Sequence, residues 1–423
     1  MPADRNGYTI DRDRLWSSLM EMAALGATEA GGVCRLALSE VDRRARDLFC
    51  RWCEEAGCTV TVDGAGNMFA RRPGRDQSRA PVAIGSHLDS QPTGGRYDGA
   101  YGVLAGLEIL RTLNDRCIES DAPVEVINWT DEEGARFPPV MLGSGTFAGV
   151  YSIEYARSRE DAAGETFGAA LDAIGYAGSA PMTAGHPIGT FLEAHIEQGP
   201  LLEREARQVG VVTDAQAITW LDIEVRGTEG HAGTTPMESR KDALVAAAGI
   251  VRAAHAIAAA HRPTARVTVG DLHVYPGARN TIPGRVTLAL DTRDPDLDQL
   301  DAIEQQLRAA AEREEAEHGV AIRVDRISRT APVRFDRDII EAMHGAANAA
   351  GIAQMDMISG AGHDACHIAG IAPTGLLFVP CKDGISHNEA ESAAPDDLAA
   401  GCEVLYRVAL QRAGAPGQDD ADR

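Results

Sequence analysis

WLDIEVRG at 220–227 alternates apolar and polar residues with the two-residue period of a half-buried strand, and its sequel decides the fold of this region. RKDALVAAAGIVRAAHAIAAAH (240–261) follows as a long helix with one apolar face. RVTVGDLHV (266–274) and RVTLALDTR (285–293) are two further strands, separated by a Gly/Pro turn region. DLDQLDAIEQQLRAAAEREEAEHG (296–319) is a second helix, opened by Pro-Asp and closed by Gly. VAIRVDRIS (320–328) completes the order β-α-β-β-α-β, a ferredoxin-like arrangement.

On either side of this block the pattern is different. PVAIGS (81–86), PVEVINWT (123–130) and TFLEAHIE (190–197) are short apolar runs that alternate with helical segments, and TGLLFVP (374–380) is a fourth. Helices are expected at FDRDIIEAMHGAANAAG (335–351) and near 395–412. Strands alternating with helices indicate an α/β sheet domain. The expected organisation is a catalytic α/β domain in two parts, residues 1–214 and 331–423, split by an inserted domain at 215–330. Gly- or Pro-rich junctions would let the two domains move.

Composition narrows the function. With 44% apolar and 24% charged residues in 423, the chain reads as globular and large enough for a substantial core. A formal net charge of -23 argues against nucleic-acid binding, which needs a basic surface. No signal-peptide core and no run of 18 uninterrupted apolar residues is seen, so the expected location is cytoplasmic, with no membrane partner. Cys50 and Cys53 form a C-x-x-C, but within the helical pattern SEVDRRARDLFCRWCEEAG and with no second pair, so they read as thiols on a helix. The acidic tail GAPGQDDADR reads as a disordered end.

In α/β sheets functional groups gather beyond the carboxyl ends of strands. The first run leads into GSHLDSQPTGGRYDGAYG with His87, Asp89 and Asp98; the second into NWTDEEGARF with Glu132 and Glu133. The third carries His195 in EAHIEQGP, and the last leads to His387 in TGLLFVPCKDGISHNE. A lone histidine is more often structural, and an aspartate in a Gly-rich loop is usually a turn former. Four strand ends that each offer a histidine or carboxylate make a different case. One bridging carboxylate, two or three histidines and a further carboxylate would hold two divalent ions. Of two adjacent glutamates, one can bind metal while the other takes a proton from the attacking water.

SHLDSQPTGGRYDGAYGVLAG (86–106), NWTDEEGARF (128–137), GSGTFAG (143–149), FLEAHIEQGPLLE (191–203), GTEGHAGTTPM (227–237) and GISHNE (384–389) resemble, in this order, the amidase/hydantoinase/carbamoylase group. This group lies in the dinuclear metallopeptidase superfamily, beside the aminoacylases. It includes N-carbamoyl-L-amino-acid hydrolases, β-ureidopropionase and allantoate amidohydrolase, and HIEQGP with DEEGARF marks the branch. The resemblance implies a zinc-peptidase-like mixed-sheet domain whose insert serves as lid and dimer interface, hence a homodimer. It makes His87 and His195 terminal ligands of one ion, Glu133 and His387 ligands of the other, and Asp98 the bridge. The ions would be Zn, or Mn, Co or Ni. Glu132 matches the general base, and Asp89 the carboxylate that orients His87. His231 matches a histidine that steadies the oxyanion in the partner subunit's site, and Gln198 a ligand of the carbamoyl end. Asn280, Arg293 and the backbone of Gly362 match groups that hold a substrate carboxylate.

Each has a plainer alternative: His231 as a turn residue, Asn280 as a loop former, Arg293 as partner of Asp291 or Asp294. His363 and His367, an i,i+4 pair, are read as structural or supporting because the family leaves that segment metal-free. Cys34 stands where relatives usually have Thr, and Glu389 where Pro is more common. The implied reaction is hydrolysis of the ureido C–N bond of an N-carbamoyl amino acid, of L-α or β-alanine type, to amino acid, ammonia and carbon dioxide. The other readings are allantoate amidohydrolase, an aminoacylase or dipeptidase, and a catalytically silent binding protein.

Overall fold

Val82–His87, Val124–Trp129, Thr190–Ile196 and Thr374–Val379 are buried at every residue. Runs of that kind suit parallel strands covered on both faces. They pair in parallel in the order Val124–Trp129, Val82–His87, Thr190–Ile196, Thr374–Val379. Antiparallel strands extend the sheet on both sides: Met68–Arg72 and then Thr59–Val62 beyond the first, Val209–Ala215 beyond the last. The computed structural model describes residues 8–182 and 185–415, so the acidic tail lies, from 416 on, outside the described residues.

Alternation along the strands serves two different layers. Val82, Ile84, Val126, Leu192 and Leu377 enter a core shared with helices Arg12–Ala23, Ala100–Asp115 and Pro395–Ala413. The opposite face carries Phe69, Trp129 and Phe191, with Phe147 of the short helix Leu142–Phe147 packed against Phe69 and Trp129. Helix Ala100–Asp115 is buried nearly all round, and only Arg111, Asn114 and Asp115 escape burial. Each buried Leu, Ile or Val side chain contributes about 1.5–3 kcal/mol. The start of that helix is therefore held rigidly, which matters because Asp98 directly precedes its N-cap, Gly99.

The chain divides into two compact units, residues 1–213 with 334–423, and residues 214–333. The smaller one is a four-stranded antiparallel sheet in the order Ala321–Thr330, Ala217–Arg226, Arg285–Asp294, Arg266–Tyr275. Helices Ala243–Ala260 and Leu297–His318 pack on one face through Ala246, Ile250, Ile303 and Leu307, against Leu221, Ile223 and Leu288. The first helix starts at Ala243 rather than at Arg240. Asp242 caps it by accepting from the N–H groups of Leu244 and Val245, while the Arg240 guanidinium bonds the carbonyls of Ala232 and Thr235. That helix is long and apolar enough by length and composition to cross a membrane, yet here one side of it belongs to the core. Within the turn region, Thr281–Ile282 pairs with Gly230–His231 as a small separate ladder.

Candidate metal centre

The carboxyl ends of the four parallel strands bring His87, Asp98, Glu133, His195 and His387 together. His87 is the last residue of its strand, and His195 the penultimate residue of the next one. Asp98 stands between two groups of side chains. Its Oδ1 lies 3.0 Å from His195 Nε2 and 3.5 Å from His87 Nε2. Its Oδ2 lies 3.4 Å from His387 Nε2, which is also 3.4 Å from Glu133 Oε2. The result is two ligand clusters, His87–Asp98–His195 and Asp98–Glu133–His387, that could each hold a metal ion and that share one carboxylate.

The spacings suit the group they would hold. Two atoms each about 2.0–2.1 Å from a shared tetrahedral ion stand about 3.3 Å apart, and the pairs above fall around that value. The charge balance points the same way. Asp89, Asp98, Glu132 and Glu133 are buried together, and buried charge of one sign must be paired or hold a cation. Burial opposes ionisation of Asp98, but His195, His387 and His87 hold its carboxyl well below the usual range. Burial raises Glu132 well above the usual range, reinforced by the carboxylates of Asp364, Glu133 and Asp89.

Local sequence explains the aim of each side chain. His87 Nδ1 lies 3.0 Å from the backbone carbonyl oxygen of Asp89, and His195 Nδ1 lies 2.9 Å from that of Ile196. Both rings are so turned that Nε2 faces Asp98. The Asp89 carboxylate is 3.8 Å from His87 and instead accepts from the backbone N–H groups of Glu132 and Glu133, at 3.3 and 3.2 Å. Asp89 thus reaches His87 through its main chain and the Glu-Glu pair through its side chain. Gly99 has φ +63, and a Cβ there would overlap the His87 ring, so the residue after Asp98 must be glycine.

Glu132 Oε2 lies 3.5 Å from His87 Nε2, beside the first cluster. Gln198 donates from Nε2 to Asp98 Oδ2 at 2.9 Å and lies 3.3 Å from His387 Nε2. Gly362 is exposed, next to buried His363, whose ring lies 4.5 Å from that of His195, tilted by 58°. Burial and the neighbouring His195 push His363 well below its usual pKa, and neither cluster draws on His363 or His367. Cys34 follows Val33, which pairs with Gly94 of the loop before Asp98. The backbone of Glu389 lies against Gly32, where a Cβ would come within 2.6 Å of its Cα.

Three residues make contacts that were not foreseen. Gln91 donates to Glu133 Oε2 at 2.9 Å, the Ser386 hydroxyl stands between Asp98 Oδ2 at 3.0 Å and Glu391 Oε2 at 3.1 Å, and buried Glu391 accepts from the N–H groups of Tyr97 and Asp98. The one sequence signal for the last two is their closeness to His387.

Three expected substrate groups belong to the smaller unit. His231 is exposed on its two-residue strand, with Thr281 as its register partner. Asn280 is next to it, its carbonyl accepting from the N–H of Ala232. Arg293 is engaged through two parallel bonds to Asp291, Nε to Oδ1 at 2.8 Å and an Nη to Oδ2 at 2.9 Å. Trp220 Nε1 donates to the same carboxylate at 2.9 Å. The side chain therefore has a fixed direction.

Residues 83–411 match peptidase family M20/M25/M40. An N-carbamoyl-L-amino-acid amidohydrolase of Rhizobium meliloti is 45% identical over 98% of this chain and 99% of that protein. An N-carbamoyl-L-amino acid amidohydrolase of Geobacillus stearothermophilus is 39% identical over 96% and 99%. Among solved structures, an amidase of the hydantoinase/carbamoylase family from Burkholderia multivorans superposes with TM-score 0.92 at 51% identity, over 96% of this chain and 99% of that one.

Proposed function

The chain belongs to peptidase family M20/M25/M40, and from that membership we propose that it is a two-metal amidohydrolase of N-carbamoyl-L-amino acids. The observation that carries this is one carboxylate, Asp98, shared by two histidine-carboxylate clusters, with a separate glutamate, Glu132, alongside. Relatives that cover nearly the whole chain are named for the same reaction.

His87 and His195 would hold one divalent ion, Glu133 and His387 the other, with Asp98 between them. When bound, the ions supply Lewis acidity that polarises the carbonyl and lowers the pKa of water. Zinc, manganese, cobalt and nickel all suit such a donor set. The ureido carbonyl is a weak electrophile because both nitrogens donate into it. Glu132 takes a proton from the attacking water and delivers it to the leaving nitrogen as the C–N bond breaks. The released carbamate gives ammonia and carbon dioxide. Gln198 gives its N–H to Asp98, which leaves the amide oxygen to accept from the carbamoyl NH2. His231 would stabilise the oxyanion, acting in the partner subunit of a homodimer. Arg293, Asn280 and the backbone of Gly362 would hold the substrate carboxylate.

The test is a panel of N-carbamoyl-L-amino acids, N-carbamoyl-β-alanine, allantoate and an N-acetyl amino acid, given to protein reconstituted with each metal. The highest kcat/KM is expected with N-carbamoyl-L-amino acids. A clear preference for allantoate or for the N-acetyl compound would overturn the assignment.

Arg293→Ala would remove the proposed charge-assisted pair with the substrate carboxylate, worth about 1.5–3 kcal/mol, and would also take the guanidinium away from Asp291. KM for carboxylate-bearing substrates should rise roughly ten- to a hundredfold, at about 1.4 kcal/mol per decade. The kcat should change much less. An unchanged KM would take Arg293 out of the binding site.

A further inference from the structure

Behind Asp98 stands a buried carboxylate for which the proposed reaction has no use. Glu391 Oε1 accepts from the backbone N–H of Tyr97 at 2.9 Å and of Asp98 at 3.2 Å. Its Oε2 is 3.1 Å from the Ser386 hydroxyl, which is also 3.0 Å from Asp98 Oδ2. One side chain thus ties the loop that carries Asp98 to the segment that carries His387. Both segments need fixing. The residue after Asp98 has φ +63, His387 has φ +52, and the His387 side chain is 49% exposed. Such a ligand has little packing of its own to hold it.

The seat of Glu391 is cut to fit. A Cβ on Gly95 would overlap the Glu391 carboxyl, so the second glycine of TGGR leaves the space that the carboxylate fills. The three atoms nearest such a Cβ all belong to the Glu391 carboxyl, which makes Gly95 a second probe of the same contact.

We propose that Glu391 is a positioning residue for the metal centre, joining Asp98 to the His387 segment through two backbone N–H groups and the Ser386 hydroxyl. It acts by hydrogen-bond geometry rather than by charge. The two N–H groups need an acceptor, and a glutamine carbonyl oxygen can serve them as a carboxylate does. The inference rests on the dinuclear reading above.

The experiment is a titration of full-length, metal-stripped protein with Zn2+ against a chromophoric chelator, followed by kcat and KM. Wild type should take up two ions. Glu391→Ala should weaken the second ion ten- to a hundredfold, the usual cost of losing a supporting partner of metal ligands. The first ion should change less, and activity should be regained on raising Zn2+. Gly95→Ala, which keeps the glutamate and expels it from its seat, should reproduce the loss. Glu391→Gln should recover most of it. Where Glu391→Ala does not fold, Gly95→Ala and Ser386→Ala carry the comparison. Two ions bound to Glu391→Ala or Gly95→Ala with wild-type affinity would overturn the inference and leave the dinuclear reading standing. A glutamine variant as weak as the alanine one would replace positioning with a charge effect. Fewer than two ions on wild type would remove the dinuclear reading itself.

Discussion

Glu132→Gln should keep both metal ions and lose turnover by roughly 10²–10⁴-fold, the range spanned by single general acid–base groups. A thousandfold loss corresponds to about 4 kcal/mol of transition-state stabilisation. Glutamine has the shape of glutamate and the same backbone anchors are kept: the N–H of residue 132 on Asp89, and its carbonyl receiving the N–H of Met141. Only the capacity to take and return a proton is removed. Neither ligand cluster includes Glu132, so metal content should match wild type. The loss should appear in kcat, with KM nearly unchanged, because the proposed base would act on the reacting atoms rather than on the bound substrate. Turnover within tenfold of wild type, with two ions bound, would show that another group moves the proton.

How far the sequence disclosed this arrangement depends on the distance over which each feature is determined. The strands that carry His87 and His195 are runs buried on both faces, so a local apolar pattern marks them, and ligands at their ends follow from the topology of a parallel sheet. The β-α-β-β-α-β order was legible for the same reason: each element has its own period, and the helices have their caps. The edge strand Thr59–Val62 was not, since four half-exposed residues carry too little pattern to stand out.

Closeness to His387 was the one local signal for Glu391, and it did not disclose the contact. Its partner Tyr97 is 294 positions away, and no local rule connects them. Asp89 shows a subtler limit. Its pairing with His87 was anticipated, but not that the backbone carbonyl would make the contact and leave the carboxylate for Glu132 and Glu133. Proximity along the chain fixes which residues meet, not which of their atoms do. Arg293 is a further case: the fork expected to meet a substrate carboxylate is already aimed by Asp291, which a register of alternating residues on one strand face makes possible.

Asp98→Asn should be the most damaging single substitution, because it strikes both ions at once. Oδ1 faces His87 and His195 while Oδ2 faces His387, so each cluster uses one oxygen. An amide offers only one acceptor and would turn an NH2 donor towards a ligand nitrogen on the other side. Taking about 10–16 kcal/mol for a fully liganded zinc ion and four ligands of similar weight, each ligand contributes roughly 2.5–4 kcal/mol. Both affinities should then fall by roughly 10²–10³-fold, at about 1.4 kcal/mol per decade. Glu133→Gln makes the contrast, since it touches one cluster and should release one ion while the other stays. Titration with Zn2+ separates the two patterns, and activity should be lost in both. If Asp98→Asn were to bind one ion as tightly as wild type, the carboxylate would belong to a single position, and the two clusters would have to be joined by something other than Asp98.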